Sequence, residues 1–121
     1  MEEDTQDRAA ADREAYLQKW VVGPGFHKIP PSHAKLQAQL IDFGISSGPG
    51  IAIQKLQTVL GVEVDGELGA ETLGALEQSD PAQTNSSLAG ERIRMIGRVV
   101  TKNKSSLNLL VSYLNRATEF L

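Results

Sequence analysis

Between Asp42 and Leu76 the chain is cut into short helical patterns by residues that a helix interior does not tolerate, and this punctuation limits the fold more than any other feature. Gly48 before Pro49 reads as a chain reversal that launches a helix, because proline suits a first helical turn where its missing N–H is not needed. Gly61 follows the last apolar residue of that helix, Leu60, at the place where a left-handed cap favours glycine. Asp65-Gly66 predicts a tight turn, and Gly69 a second break before a short helix carrying Leu73 and Leu76. Val62 to Gly66 is too short for a stable sheet. This run, residues 32–80, is thus a helix-turn-helix centre.

The flanks continue the helical reading. From Asp4 to Val22 the residues are good helix formers, with acids early, where they complement a helix N-terminus. The apolar residues gather late, at Ala9, Tyr16, Leu17, Trp20 and Val21, so residues 1–15 are expected to fray and the end to dock. Gly23-Pro24-Gly25 closes that helix and opens a loop to Pro30-Pro31. Ser32 is placed as the N-cap of a helix to about Ile45, with Leu36, Leu40 and Phe43 on one face. Pro49 to Leu60 puts Ala52, Ile53, Leu56, Val59 and Leu60 inward, with Gln57 tying a neighbouring loop by its amide. Asp80 caps a restart. After the polar stretch Thr84 to Ser87 a helix runs to about Lys102, with Leu88, Ile93, Ile96 and Val100 buried and Met95 and Val99 adjoining. Arg94, Arg98 and Lys102, reinforced by Arg92 and Lys104, form a basic line on its other side, which either meets anionic wall polymers or a partner's acidic patch or is simply solvated; solvation is favoured. Lys102-Asn103-Lys104 is read as a turn, with Ser105 or Ser106 capping a last helix of period Leu107, Leu110, Val111, Leu114, Ala117 and Leu121. The last two helices, residues 82–121, are expected to pair as an antiparallel hairpin. The whole is an all-α single domain, 1–121, of five or six helices.

Composition excludes several classes. The chain has 121 residues, 40% of them apolar, enough for one modest core. Zero cysteines rules out disulfides, thiolate zinc sites and cysteine nucleophiles. Glu2, Glu3, Asp4, Asp7, Asp12 and Glu14 outnumber Arg8, Arg13 and Lys19, so the formal charge of −3 resides in the first helical segment and nothing draws the chain to nucleic acid. No run approaches the roughly 18 apolar residues of a membrane span, and the acidic start lacks the basic-then-apolar pattern of a secretory signal. A cytoplasmic location without membrane contact is expected, and Met1 suggests a complete reading frame. His27 and His33 lack a third ligand, so neither a metal nor any other cofactor is expected.

The order Asp42-Phe43, Ser47-Gly48-Pro49-Gly50, Leu56-Gln57, Leu60-Gly61-Val62, Val64-Asp65-Gly66, Leu68-Gly69 and Thr72-Leu73 resembles glycoside hydrolase family 108, the phage endolysins and bacterial secretion-activator-like muramidases. The match lies at the join between the lysozyme-like lobe and the peptidoglycan-binding tail. Tyr16 to Trp20 and Gly25 to Pro30 resemble the helix and loop before the join, and Tyr113-Leu114-Asn115-Arg116 the closing helix of the tail, so most of the chain is covered. One departure matters: the family's catalytic Glu lies in an early Glu-Gly-Gly motif, and Glu2, Glu3 and Glu14 are followed by Glu, Asp and Ala.

The resemblance implies a remnant of the lysozyme-like lobe joined to a helical peptidoglycan-binding tail. It also implies that Asp42 and Ser46 belong to a glycan groove and that Tyr16 and Trp20 offer a sugar-stacking surface. The residues themselves favour plainer roles: Tyr16 and Trp20 as core-facing aromatics at spacing four, Asp42 and Ser46 as hydrogen-bonding the glycine-rich turn. Glycoside hydrolysis needs an acid and a second carboxylate about one bond. Asp42, Asp65, Glu67 and Glu71 each have a local capping explanation, so no catalytic residue is assigned. The expected function is a peptidoglycan-binding module without catalysis, its partner the glycan strands. The alternatives are a phage or prophage protein acting on a host protein, and one subunit of a split muramidase.

Overall fold

In the computed structural model of the chain, residues 2–102 and 107–120 are described, with side chains for 7–99, 111, 112, 114–116 and 118–120. Six α-helices fill them: α1 (Glu2–Leu17), α2 (Ala34–Ser47), α3 (Pro49–Leu60), α4 (Ala70–Gln78), α5 (Pro81–Lys102) and α6 (Leu107–Thr118). No strand occurs among the described residues. A π-helical turn, Gln18–Val22, continues α1, and two 3-10 turns, Phe26–Lys28 and Pro31–His33, lead into α2.

The core is built around α2 and α3. Leu36, Leu40 and Phe43 recur at helical spacing on α2 and are buried, each contributing about 1.5–3 kcal/mol relative to exposure. Against them α3 sets Ala52, Ile53 and Leu56, while Phe26 and Ile29 close the core from the loop before α2. Leu76 of α4 and Leu88 of α5 complete it. Proline occupies the first turn of α3, as expected at a reversal. Gly61 ends α3 with φ +72°, and its amide returns to the Gln57 and Thr58 carbonyls in a left-handed cap.

Several expectations change. Ser32 does not cap α2; its hydroxyl lies 3.0 Å from His33 Nδ1, and α2 is entered through the Pro31–His33 turn. Helix α5 begins at Pro81 and includes Thr84 to Ser87, because Asp80 Oδ1 accepts the Gln83 amide at 2.9 Å and so nucleates it early. Its buried face is Thr84, Asn85, Leu88, Ala89, Arg92 and Ile96. Ile93 is only half-buried, Val99 is 52% exposed, and Val100 lies outside the described side chains. Arg92 therefore leaves the basic line, and Lys102 and Lys104 lie outside the described side chains.

The turn around Asn103 and a cap at Ser105 or Ser106 fall outside the described residues. Helices α5 and α6 pack together, as a hairpin would require. From residue 7 to Lys19 every side chain is exposed, Tyr16 included at 50%, so the core-facing reading of Tyr16 fails. Docking begins only with Trp20 and Val21, both half-buried, Val21 against the core.

Candidate functional site

Two polar centres and one aromatic surface could serve function. The first polar centre is the loop from Gly61 to Gly69. Gln57, fully buried on α3, directs its amide Nε2 at Asp65 Oδ1 (2.7 Å), the Glu67 carbonyl (2.8 Å) and Thr72 Oγ1 (3.1 Å). Its Oε1 accepts the amides of Asp65 (3.1 Å) and Gly66 (3.0 Å). Gly66, at φ +77°, supplies the left-handed step that turns both amides inward. Asp65 Oδ1 also accepts the Glu67 amide at 2.9 Å. That backbone bond, then the Gln57 amide, holds the Asp65 carboxyl below the ordinary 3.8.

The second centre joins α2, α5 and the C-terminal segment. Arg92 is 1% exposed, and its Nη2 meets Asp42 Oδ2 at 2.8 Å. The other oxygen, Oδ1, is held by Arg116 of α6. The Arg92 guanidinium lies over the Phe43 ring at 4.8 Å and near the Phe120 ring at 5.9 Å, so two aromatic faces replace part of its lost hydration. Beside it Gln39 donates to the carbonyl and Oδ1 of Asn85, whose own amide donates to the Phe120 carbonyl. Among the described residues Arg92 Nη1 and Gln39 Oε1 have no partner.

These contacts relocate the candidate glycan ligands. Asp42 does not bond the turn; its side chain is 22% exposed, and each of its oxygens meets an arginine. Ser46 donates inside α2, to the Asp42 carbonyl (3.1 Å) and the Phe43 carbonyl (3.2 Å), instead of bonding the glycine-rich turn. Tyr16 and Leu17 line a cavity of about 370 Å³ with Asp12 and Arg13; neither Asp42 nor Ser46 borders it. Trp20, half-buried, carries the Lys19 ammonium over its ring at 4.7 Å. The four residues therefore lie in two places.

Sequence reading placed Leu88 and Ile96 inside and missed Asn85, Ala89 and Arg92 beside them on α5. Asn85, Leu88, Ala89, Arg92 and Ile96 follow helical spacing, so a polar residue at the centre of an apolar stripe was the available signal for Arg92. His33, at the start of α2, is buried. Its Nε2 lies 3.3 Å from Ser79 Oγ, whose hydroxyl donates to the Leu76 carbonyl, and its Nδ1 lies 3.0 Å from the Ser32 hydroxyl. Among the described residues no three His, Asp or Glu side chains gather as metal ligands, and no helix is long and apolar enough to cross a membrane.

This arrangement of helices has a known counterpart. The chain is similar to the solved structure of SagA from Brucella abortus, with a TM-score of 0.69 and 26% identity over 92% of this chain. It spans 64% of the length of SagA. No family model and no curated protein matches the sequence.

Proposed function

We propose that this chain is a cell-wall-binding module of endolysin type that holds peptidoglycan without cleaving it. One observation carries the reading: the likeness to SagA extends over 92% of the chain, and it stands beside the resemblance of the Asp42 to Leu73 run to the family 108 muramidases. The state of the carboxylates supports the second half. A general acid at a glycoside needs a raised pKa. Asp65 is shifted the other way and spent on its loop, and both oxygens of Asp42 are engaged by arginines. Tyr16 and Trp20 remain the proposed stacking surface; Asp42, held by two arginines, and Ser46, bonded inside α2, lie apart from it and are a separate proposed contact.

The test mixes purified chain with purified sacculi and follows sedimentation and turbidity together. Sedimentation without clearing is the expected result, and Tyr16→Ala with Trp20→Ala should reduce it several-fold. Clearing by the isolated chain would overturn the non-catalytic half. Failure to sediment above a neutral control protein would overturn the binding half.

A second reading has one observation in its favour. Helix α1 leaves Tyr16 at 50% and Leu17 at 47% exposed side by side, which suits a partner polypeptide, from the host or from a split muramidase, laid over α1. Saturable, stoichiometric capture of one protein, lost on Tyr16→Glu, would establish it.

A further inference from the structure

Helices α3 and α5 lie side by side, and a groove of about 300 Å³ runs between them, lined by Ile51, Gln54, Lys55, Met95, Arg98 and Val99. Its floor exposes apolar surface: Ile51 is 38% and Val99 52% exposed, with Met95 half-buried below. Its cations are uncompensated. Arg94 pairs with Glu91 at 2.7 Å, and Arg92 and Arg116 share Asp42, but among the described residues Lys55 and Arg98 meet no carboxylate. The Arg98 side chain reaches only the Arg94 carbonyl, at a long 3.4 Å. Two free cations over exposed aliphatic side chains, with one amide between them, form a surface for a short ligand that carries carboxylates and methyl groups.

We infer that this groove receives the acidic stem peptide of peptidoglycan. The inference rests on the wall-binding reading and names the part of the wall that this face contacts. Lys55 and Arg98 take the peptide carboxylates, Ile51, Met95 and Val99 take the alanine methyls, and Gln54 meets a backbone amide. A sugar ring is the poorer occupant, because pyranose faces stack on aromatic rings and none lines this groove. The glycan surface at Tyr16 and Trp20 and the peptide groove are therefore separate contacts.

The test titrates isotope-labelled full chain with a soluble stem pentapeptide and, separately, with a peptide-free N-acetylglucosamine oligomer, following backbone amide shifts. The peptide should move the amides of residues 51–55 and 95–99, and Lys55→Glu with Arg98→Glu should weaken it at least tenfold. Circular dichroism of that double variant checks that the fold is intact. Shifts by the peptide elsewhere, shifts of these amides by the sugar oligomer alone, or unchanged affinity in the double variant would overturn the inference. Sedimentation with sacculi separates the two proposals. Wild-type sedimentation with a silent peptide titration overturns the groove and leaves wall binding standing; a positive titration without sedimentation does the reverse. Sedimentation lost after acid removal of anionic wall polymers assigns Lys55 and Arg98 to those polymers and also overturns it.

Discussion

Gln57 and Arg92 are equally buried and equally polar, yet they organise their surroundings in opposite ways. Gln57 is neutral, and every polar atom of its amide finds a partner within fifteen residues of sequence. Arg92 is charged, reaches Asp42 fifty residues away, and has one nitrogen without a partner among the described residues. A neutral amide costs little to desolvate when its two donors and one oxygen are satisfied. A buried guanidinium costs several kcal/mol even when paired, and is tolerated here through the Asp42 carboxylate and two ring faces. One hub stabilises a loop; the other decides which helices may pack together.

That contrast can be broken by substitution, with the largest effect at the charged hub. Arg92→Ala removes the partner of Asp42 Oδ2, leaving only Arg116 on Oδ1, and opens a cavity among α2, α5 and α6; it should cost about 3–5 kcal/mol in urea denaturation. Arg92→Met keeps the volume and should recover at least half of that loss. A Met variant as unstable as the Ala variant would show that the charge, not the volume, holds the helices. Gln57→Ala comes next, at about 2 kcal/mol, because it frees the loop without touching the helix packing. Hydrogen exchange should accelerate at the amides of Asp65, Gly66 and Glu67 far more than in the core of α2. Uniform acceleration would mean that the loop is part of the cooperative core.

Smaller effects sharpen the picture. Arg116 is 39% exposed, so solvent screens its bond to Asp42, and Arg116→Ala should cost about 0.5–1 kcal/mol by thermal denaturation. A loss as large as that of Arg92→Ala would place the weight of the cluster on α6. The smallest effect depends on pH. The Asp65 carboxyl sits below 3.8 in the folded chain, so its ionised form favours folding above that value, and this contribution disappears as pH falls through the lowered folded value. Asp65→Asn should flatten that acid limb of the stability curve and leave the alkaline side unchanged.

Much of this was readable in sequence because it is local. Gly48-Pro49, Gly61, Asp65-Gly66 and the Asp80 cap act within a few residues, and each stands where local stereochemistry puts it. The role of Gln57 follows too, since its partners lie eight to fifteen residues on. What escaped depends on distant chain. Asp42 has several local explanations and one distant one, and only the packing of α2 against α5 and α6 selects it. Tyr16 shows the reverse error: spacing four marks a face, but whether anything covers that face is a property of the assembled fold. Ser46 bonds its own helix because the preceding carbonyls are nearer than the turn. The groove between α3 and α5 joins Lys55 to Arg98 across forty-three positions, and the basic line on α5 alone pointed to only half of it.

The span of the Asp42 cluster also imposes an order on assembly. During synthesis the carboxylate emerges long before Arg92, and Arg116 and Phe120 come last, so α2 and α3 can close on their apolar faces while Asp42 still faces water. Arg92 then enters the interior with a single counter-charge, and Phe120 reaches its guanidinium only when the final turn of the chain arrives. Contacts of such long sequence separation form late and slowly. The C-terminal turn should therefore lock after the α2 and α3 core in folding and open before that core in native-state hydrogen exchange, with the loop tied by Gln57 already in place before it.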